Sequence, residues 1–242
     1  MRIELAGVPA EVVCRHPENH AFFGPYASDR PPRFCVEPTE DDLRRIREDL
    51  DRLDDADGLP RRHHSPAYLE NNAIHALLAE QLVAWDVLLM HGSALCMDGR
   101  GYLFTAPSGT GKSTHARLWR EVFGDRVWMI NDDKPLLRIA DGAVTAFGSP
   151  WDGKHHLSRN AGAPLRAIAL LERDSENRIA PMSRPDAFQV AMRQALTSRD
   201  PATMARIVAL ERRLVEAVAF YWLSCNMSPE AAVTAWRGMD AR

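Results

Sequence analysis

A glycine-rich segment near the middle of the chain reads Ala106-Pro107-Ser108-Gly109-Thr110-Gly111-Lys112-Ser113-Thr114. The apolar run at residues 102–105 predicts a buried strand before it, and apolar residues at helical spacing predict a helix after it that ends at Gly124. A strand, a glycine-rich loop and a helix opening on Lys-Ser form the context of a phosphate-binding P-loop. The segment therefore predicts a site for a nucleotide or another polyphosphate.

The residue types in this segment explain how it would hold phosphate. Glycines let successive backbone N–H groups turn inward around an anion, and the start of a helix adds its partial positive charge, so we expect residues 107–114 to bind the phosphates. The Lys112 ammonium can reach the β- and γ-phosphates, and the Ser113 hydroxyl can ligate Mg²⁺. The first glycine of the usual pattern is Ala106 here, which fits if its φ is negative.

Composition sets limits on the class of protein. The 242 residues are 45% apolar and 26% charged, as in a soluble globular protein with a substantial core. A net charge of −3 gives no sign of a nucleic-acid partner, and the four cysteines are too far apart for a zinc or redox motif. The N-terminus lacks a signal-peptide core, and the longest apolar run, residues 82–90, is too short to span a bilayer. We therefore expect a cytoplasmic protein without a membrane partner.

The pattern along the chain indicates two parts. Residues 1–38 have the pattern of short strands and loops, and a capping box at Thr39 and Asp42 predicts an amphipathic helix. The charged stretch 54–64 contains Gly58 and Pro60 and is the best candidate for a linker. We therefore predict a small N-terminal β/α segment at residues 1–64, which could dock a substrate, and a P-loop catalytic domain at residues 65–242.

Two Asp-Gly pairs narrow the fold class. Asp98-Gly99 and Asp141-Gly142 each separate two apolar runs, which is typical of tight β-hairpins. A doubly wound nucleotide-binding domain has only parallel neighbours, whereas hairpins require antiparallel ones. Further strands are predicted at 126–131, 166–171 and 217–222, and helices at 185–198 and 201–216. The sequence therefore predicts an α/β fold in which helices flank a mixed β-sheet that carries the P-loop.

Two aspartates follow the strand predicted after the P-loop helix. Asp132 and Asp133 would lie at the carboxyl end of that strand, which is the edge of an α/β sheet where ligands bind. One carboxylate there can hold Mg²⁺, and a second can accept a proton from an attacking hydroxyl in phosphoryl transfer. A solvated turn before Lys134 is the alternative interpretation, and the P-loop favours the functional one.

Three other residues are candidates for the same site. His91 ends the strand before the P-loop strand, where it is either a structural histidine or a group near the γ-phosphate or the metal. A Gly/Pro/Trp loop at residues 148–154 is followed by Arg159, and both Lys154 and Arg159 could neutralise charge during phosphoryl transfer. The alternative for these two is a tight turn with surface charges.

The combination of His91-Gly92, the P-loop and Asp132-Asp133 resembles the catalytic domain of bacterial HPr kinase/phosphorylase, which belongs with the phosphoenolpyruvate carboxykinase-like P-loop folds. The resemblance covers residues 87–175. The loop at residues 150–154 and the Leu171-Glu172-Arg173 run are similar to a smaller branch of HPr-kinase-related proteins, some of which phosphorylate a serine of a ribosomally made peptide. Members of the larger family form oligomers, so the resemblance leaves room for a homo-oligomer.

The resemblance implies a role for each matching residue. Lys112 would hold the phosphates of ATP, Ser113 would hold Mg²⁺, and Asp133 would accept the proton of the substrate hydroxyl. Asp132 would support Asp133 or the metal, and His91 would lie in the active site. The chain also departs from the family: the acid pair lies about three residues further from Lys112, the glutamate motif and the phosphorylase region are not recognisable, and Asp152 is the substitute we consider for the missing glutamate.

The residues and the resemblance together predict an ATP- and Mg²⁺-dependent kinase that phosphorylates a hydroxyl, with a serine or threonine of a peptide or small protein as the acceptor. Two alternatives stay open. The first is a small-molecule phosphotransferase or a carboxykinase-like enzyme, which would use the same P-loop and acids. The second is a nucleotide-binding regulator without turnover.

Overall fold

A computed structural model describes residues 1–240 of the chain. The chain divides into two compact units, Met1–Leu82 and Val83–Arg242. The sequence pattern predicts a boundary at residue 64, whereas in the structure the boundary follows residue 82. The reason is that the helix Pro66–Leu82 packs against the preceding helix, Glu40–Ala56, inside the first unit.

The first unit is a three-stranded sheet with three helices. Its strands lie in the order β1-β2-β3, with β1 antiparallel to β2 and β2 parallel to β3. The elements are β1 (Arg2–Leu5), β2 (Val8–Val12), α1 (Pro17–Phe23), β3 (Cys35–Val36), α2 (Glu40–Ala56) and α3 (Pro66–Leu82). The predicted capping box begins α2, because the Asp42 N–H donates to Thr39 Oγ1 at 3.2 Å and the Thr39 N–H donates to Asp42 Oδ2 at 2.9 Å.

The charged stretch 54–64 comprises the end of α2 and the loop that follows it inside the first unit, and it is not a linker. The Asp54 side chain is buried, and its carboxylate accepts hydrogen bonds from the backbone N–H and from Nε of Arg62, each at 2.9 Å. A buried carboxylate must be paired to offset the loss of its hydration, so this contact fixes the turn after α2. The composition of the stretch is that of a linker, but the sequence alone does not show that Asp54 and Arg62 are partners.

The second unit is built around a nine-stranded mixed sheet in the described part of the chain. The strands are β4 (Val87–Leu89), β5 (Ser93–Met97), β6 (Arg100–Thr105), β7 (Val127–Asn131), β8 (Leu136–Ala140), β9 (Ala143–Phe147), β10 (Gly162–Arg173), β11 (Arg178–Pro181) and β12 (Ala219–Cys225). The helices are α4 (Lys112–Phe123), α5 (Arg184–Gln194), α6 (Pro201–Ala217) and α7 (Pro229–Asp240). Strand β11 has no counterpart among the predicted elements.

The order of the strands follows from the length of β10. The sheet runs β4-β8-β9-β10-β6-β5-β7, and β12 pairs with β10 and with β11. The first residues of β10 pair antiparallel with β9, while its later residues run parallel to both β6 and β12. Asp98, Gly99, Asp141 and Gly142 all have positive φ, as two-residue hairpin turns require. The predicted mixed sheet with flanking helices is thus confirmed.

Helices cover both faces of this sheet. On one face, Tyr102 and Phe104 of β6 pack against Trp119 of α4, and buried side chains of α7 join the same cluster. On the other face, Leu103 and Ile168 lie in a cluster with buried side chains of α5 and α6. Burial of each such large side chain contributes about 1.5–3 kcal/mol, so the two clusters hold the strands in place. None of the helices in residues 1–240 is long and apolar enough to cross a membrane.

The strand directions bring three segments to one edge of the sheet. Strands β6 and β7 are both antiparallel to β5, which lies between them, so β6 and β7 run in the same direction. The glycine-rich loop after β6, the acid pair after β7 and the residues before β5 therefore meet at that edge.

Candidate active site

The glycine-rich loop lies between β6 and the first turn of α4. Gly109 and Gly111 have φ values of 76° and 124°, a region that residues with a side chain rarely adopt. Ala106 is fully buried and has a negative φ, so alanine fits at this position as expected. Helix α4 begins at Lys112 and ends before Gly124, whose φ is 57°. The strand, loop and helix predicted around this segment are confirmed.

Lys112 is buried at the start of α4. Its Nζ donates to the carbonyl oxygen of Ala106 at 2.9 Å and to that of Pro107 at 3.4 Å. Burial lowers the pKa of this ammonium, the charge of Lys134 acts in the same direction, and Asp133 and Asp132 oppose the shift. The Lys112 charge therefore interacts favourably with both predicted acids and unfavourably with one further cation.

Asp132 is buried directly after β7. Ser93, at the start of β5, donates a hydrogen bond from its Oγ to Asp132 Oδ1 at 2.5 Å. Asp132 and Ser113 line the same cavity of about 300 Å³, together with Arg117, Arg120 and His155. A hydroxyl and a carboxylate in one polar cavity at a helix N-terminus are oxygen donors of the kind that Mg²⁺ takes. Residues 1–240 contain no group of three or more His, Cys, Asp or Glu side chains that could hold a metal by themselves.

Asp133 is half-exposed and contacts two nitrogen-bearing side chains. Its Oδ1 lies 3.4 Å from His91 Nε2 and 3.1 Å from Lys134 Nζ. Burial lowers the pKa of His91 to about 4, with smaller contributions from the Lys134 and Lys112 charges, while Asp133 acts in the opposite direction. The imidazole is therefore neutral at pH 7. The charge partner of Asp133 is Lys134.

Asn131 holds the turn that carries the two acids. Its Oδ1 accepts hydrogen bonds from the backbone N–H groups of Asp133 (2.8 Å) and Lys134 (2.7 Å). Its Nδ2 donates to the carbonyls of Ser149 and Trp151 at 3.1 and 3.2 Å. The side chain is fully buried, so these bonds join the acid turn to the loop after β9 at a point closed to water.

In the loop after β9, the backbone at two glycines lies so close to other backbone segments that a side chain would not fit. A Cβ at Gly148 would lie 2.0 Å from the Arg159 carbonyl oxygen, and one at Gly153 would lie 2.8 Å from the carbonyl oxygen of Asp132.

Lys154, next to Gly153, is exposed and has no hydrogen bond or ion pair among the described residues. The Arg159 guanidinium instead lies 5.4 Å from the centre of the Trp128 ring. The structure therefore brings the loop to Asp132, whereas the Arg159 side chain packs on β7.

Asp152, the residue considered as a second metal ligand, has local partners. Its Oδ1 lies 2.9 Å from His156 Nδ1, and its Oδ2 accepts from the Ser158 N–H at 3.2 Å. These contacts fold the loop onto itself.

Arg173, at the end of β10, contacts the glycine-rich loop at Gly109 and Thr110. Its guanidinium donates to the carbonyl oxygens of Thr110, at 2.9 Å, and Gly109. A cavity lies on each side of this contact. One has a volume of about 460 Å³ and reaches the first turn of α4, and the other has a volume of about 510 Å³ and reaches α5.

Sequence reasoning identified part of this arrangement. The P-loop motif predicts Lys112, positions at strand ends predict His91, Asp132 and Asp133, and all four lie at the same edge of the sheet. Four contributors were missed: Ser93, Asn131, Lys134 and Arg173. Lys134 had a visible signal, since it follows the acid pair directly, but we interpreted it as part of a turn. Ser93 and Asn131 are polar residues in apolar strands, and that break in pattern could have identified them.

Comparisons with known proteins do not assign a family to this chain. No family model matches the sequence, and no curated protein matches it. Among solved structures, the chain is similar to the Hpr(Ser) kinase/phosphatase from Coxiella burnetii, at 11% sequence identity over 62% of this chain and 95% of that chain, with a TM-score of 0.37. This degree of similarity does not establish a family, so the function is inferred from the geometry of the site.

Proposed function

We propose that this protein is an ATP- and Mg²⁺-dependent kinase that transfers the γ-phosphoryl group to the hydroxyl of a serine or threonine in a peptide or small protein. The observation that supports this most is that the glycine-rich loop with Lys112 and the acid pair Asp132–Asp133 follow two strands of the same direction, β6 and β7, and so lie at one edge of the sheet. A phosphate-binding loop alone would fit a binding module. A half-exposed carboxylate beside it supplies the group that an attacking hydroxyl requires.

The fit of the nucleotide phosphates rests on the loop. Residues 107–114 include two glycines with positive φ, and α4 directs its N-terminus at the same point. Such a loop binds anions through backbone N–H groups and the helix dipole. The buried Lys112 ammonium adds a full charge, and its carbonyl partners Ala106 and Pro107 keep it beside the loop.

The fit of Mg²⁺ rests on Ser113 and Asp132. Both line one cavity, and neither is the ligand of a larger protein cage, which suits an ion that keeps waters and phosphate oxygens in its shell. When bound, the ion would neutralise charge on the phosphates. Ser93 would orient the Asp132 carboxylate through its 2.5 Å hydrogen bond.

The transfer step then uses Asp133. The acceptor oxygen attacks the γ-phosphorus, its proton passes to the Asp133 carboxylate, and the bond between the γ-phosphorus and the bridging oxygen breaks to release ADP. Lys134 and the neutral His91 both contact Oδ1 of Asp133, which restricts the orientation of the carboxylate. Lys112 stabilises the charge on the transferring group.

The test is phosphoryl transfer from Mg-ATP to a library of serine- and threonine-containing peptides, read by mass spectrometry. We expect a gain of one phosphate in wild type. In Asp133→Asn, the rate should fall about 10²- to 10⁴-fold with ATP affinity retained, since only the proton acceptor is lost. In Lys112→Ala, both ATP affinity and rate should fall. Glu216→Gln, an exposed change on α6, is the control and should bind and turn over ATP like wild type.

Three outcomes would contradict the proposal. Transfer by Lys112→Ala at the wild-type rate would exclude a role for the P-loop in catalysis. Transfer to small metabolites but to no peptide would favour the small-molecule phosphotransferase. ATP binding without any transfer, and with no effect of Asp133→Asn, would favour the regulator. The docking role of residues 1–64 and the homo-oligomer stay predictions.

A further inference from the structure

We propose that the groove between α5 and the glycine-rich loop binds the residues that flank the phosphorylated hydroxyl, and that it selects a peptide with an apolar and an acidic residue there. This inference rests on the proposed kinase function. It adds the place where the acceptor binds and the chemistry by which it is chosen.

The two cavities beside Arg173 lie on opposite faces of the sheet. Consecutive residues of a strand point to opposite faces, and Leu171 belongs to the cluster under α4 while Leu170 packs against the cluster under α5. The 460 Å³ cavity is lined by Leu171 together with Leu118 and Thr114 of α4, and the 510 Å³ groove by Leu170 together with Trp222. The two spaces therefore extend to opposite faces and share a wall formed by Thr110 of the loop and by the end of β10, at Leu171–Arg173.

The nucleotide base fits the cavity on the α4 face. That cavity begins at the first turn of α4, where phosphates would bind, and its wall includes the apolar side chains of Leu118, Leu171 and Met227. Apolar walls next to an anion site suit a base attached to a polyphosphate. A nucleotide seated there leaves the groove on the α5 face open.

One wall of the groove is linked to the proposed proton acceptor. Its wall includes Pro107 and Thr110 of the loop and Gln194 at the end of α5. The Gln194 carbonyl accepts a hydrogen bond from the His91 N–H at 2.7 Å, and His91 Nε2 lies 3.4 Å from Asp133 Oδ1. One wall of the groove, at Gln194, is thus linked to Asp133 through one backbone hydrogen bond and the contact between His91 and Asp133.

The chemistry of the groove fits a peptide. Leu170, Trp222 and the buried Val190 form an apolar floor on which a side chain can pack. Two exposed α5 side chains, the Arg193 guanidinium and the Gln189 amide, have no hydrogen-bond or ion-pair partner among the described residues. An amide can bond a peptide backbone, and an unpaired guanidinium in a concave groove favours a carboxylate.

The other charged side chains that line the groove are Arg173, Asp186 and Glu172, and the first two already have partners within the protein. Arg173 is held by the loop carbonyls, and the Asp186 carboxylate accepts a hydrogen bond from Ser183 Oγ at 2.5 Å. Glu172 is exposed beside Arg173 and offers an acceptor for a peptide N–H. Of the described residues that line the groove, Arg193 is the cation that has no partner, and it can therefore bind an acidic residue of a peptide.

The experiment compares sequence preferences on a randomised library of serine-centred decapeptides with Mg-ATP. Wild type should enrich phosphopeptides with an apolar residue and Asp or Glu near the serine. Arg193→Glu should reverse the charge preference, with about a tenfold loss on acidic peptides, and Trp222→Ala should remove the apolar preference. Arg184→Glu, an exposed arginine of α5 outside the groove, is the matched control and should keep the wild-type preference.

Nucleotide affinity separates the two cavities. Arg193→Glu and Trp222→Ala should bind ATP like wild type, whereas Met227→Ala should weaken ATP binding and leave peptide preference intact. If Trp222→Ala does not fold, Trp222→Phe should give a smaller change of the same kind. An unchanged preference in both groove variants, or weaker ATP binding in them, would overturn the inference while leaving the kinase proposal standing. No transfer to any peptide by wild type would instead refute both.

Discussion

His91 Nε2 lies 3.4 Å from Oδ1 of Asp133, and burial lowers the pKa of this imidazole to about 4. The contact is therefore between a neutral ring and a carboxylate at neutral pH. A neutral ring can position Asp133 by contact without adding a positive charge beside its carboxylate. Lys134, 3.1 Å from the same oxygen, supplies the charge instead.

The first prediction concerns the titration of His91. Because its pKa is lowered on folding, His91 takes up a proton more readily in the unfolded chain, and stability falls as the pH drops from about 6.5 towards 4. The ring should show no titration between pH 5 and 8 in an NMR experiment. His91→Gln should lose less free energy of unfolding than wild type between pH 7 and 5. A His91 signal that titrates near 6.5 would contradict the prediction.

The second prediction concerns Asn131. In Asn131→Ala, the N–H groups of Asp133 and Lys134 lose the acceptor that the buried Asn131 side chain provides, so we expect a loss of about 2–4 kcal/mol in unfolding free energy. Urea denaturation measures this. Asn131→Asp is the matched variant, since it keeps both acceptor bonds but turns an oxygen towards the carbonyls.

Asn131→Asp should also be destabilised, and its transfer rate should fall because the loop after β9 is released from the acid turn. If both variants are as stable and as active as wild type, Asn131 does not organise the site.

The third prediction concerns Arg173. Its guanidinium draws the carbonyls of Gly109 and Thr110 to one side, which turns the loop N–H groups towards the other side. Arg173→Met should weaken the binding of both ATP and pyrophosphate about 3- to 10-fold, with little change in stability because the side chain is exposed. Calorimetric titration measures both ligands. Loss of ATP affinity alone would show that Arg173 contacts the base and not the loop.

Local patterns were enough to predict the elements of the second unit that carry the site. Asp98-Gly99 and Asp141-Gly142 fixed two hairpins through backbone chemistry, and hairpins fix strand direction. The position of the acid pair at the ligand-binding edge is predicted separately, from its place directly after a strand, and the strand directions in the structure agree with it. These inferences succeed because each depends on residues close together in the chain.

Contacts between distant residues were not predictable in the same way. Ser93 and Asp132 are 39 residues apart, and Arg173 and Thr110 are 63 apart, so no local pattern links either pair. Asp54 and Arg62 are closer together in the chain, but residues 54–64 have the composition of a linker. Only the burial of Asp54 shows that the pair holds a turn. Pairing across the fold depends on packing, which one sequence does not display.

The last prediction concerns Glu211, which lies on α6 away from the site. Its side chain is fully buried, both carboxylate oxygens lack a hydrogen-bond partner among the described residues, and burial raises the pKa to about 7. The unfolded chain loses this proton near pH 4.5, so the folded protein loses stability as the pH rises from about 4.5 to 7. At about 1.36 kcal/mol per pKa unit, Glu211→Gln should stabilise the protein by up to ~3 kcal/mol at pH 8.

The same substitution should have little effect at pH 4, where the carboxyl group is protonated in the folded chain and largely so in the unfolded one. Thermal or urea unfolding at pH 4, 6 and 8 tests the sign, and Glu216→Gln, an exposed change on the same helix, should show no such pH dependence. A Glu211→Gln variant that is less stable than wild type at pH 8 would mean that the carboxylate has a charged or polar partner in solution.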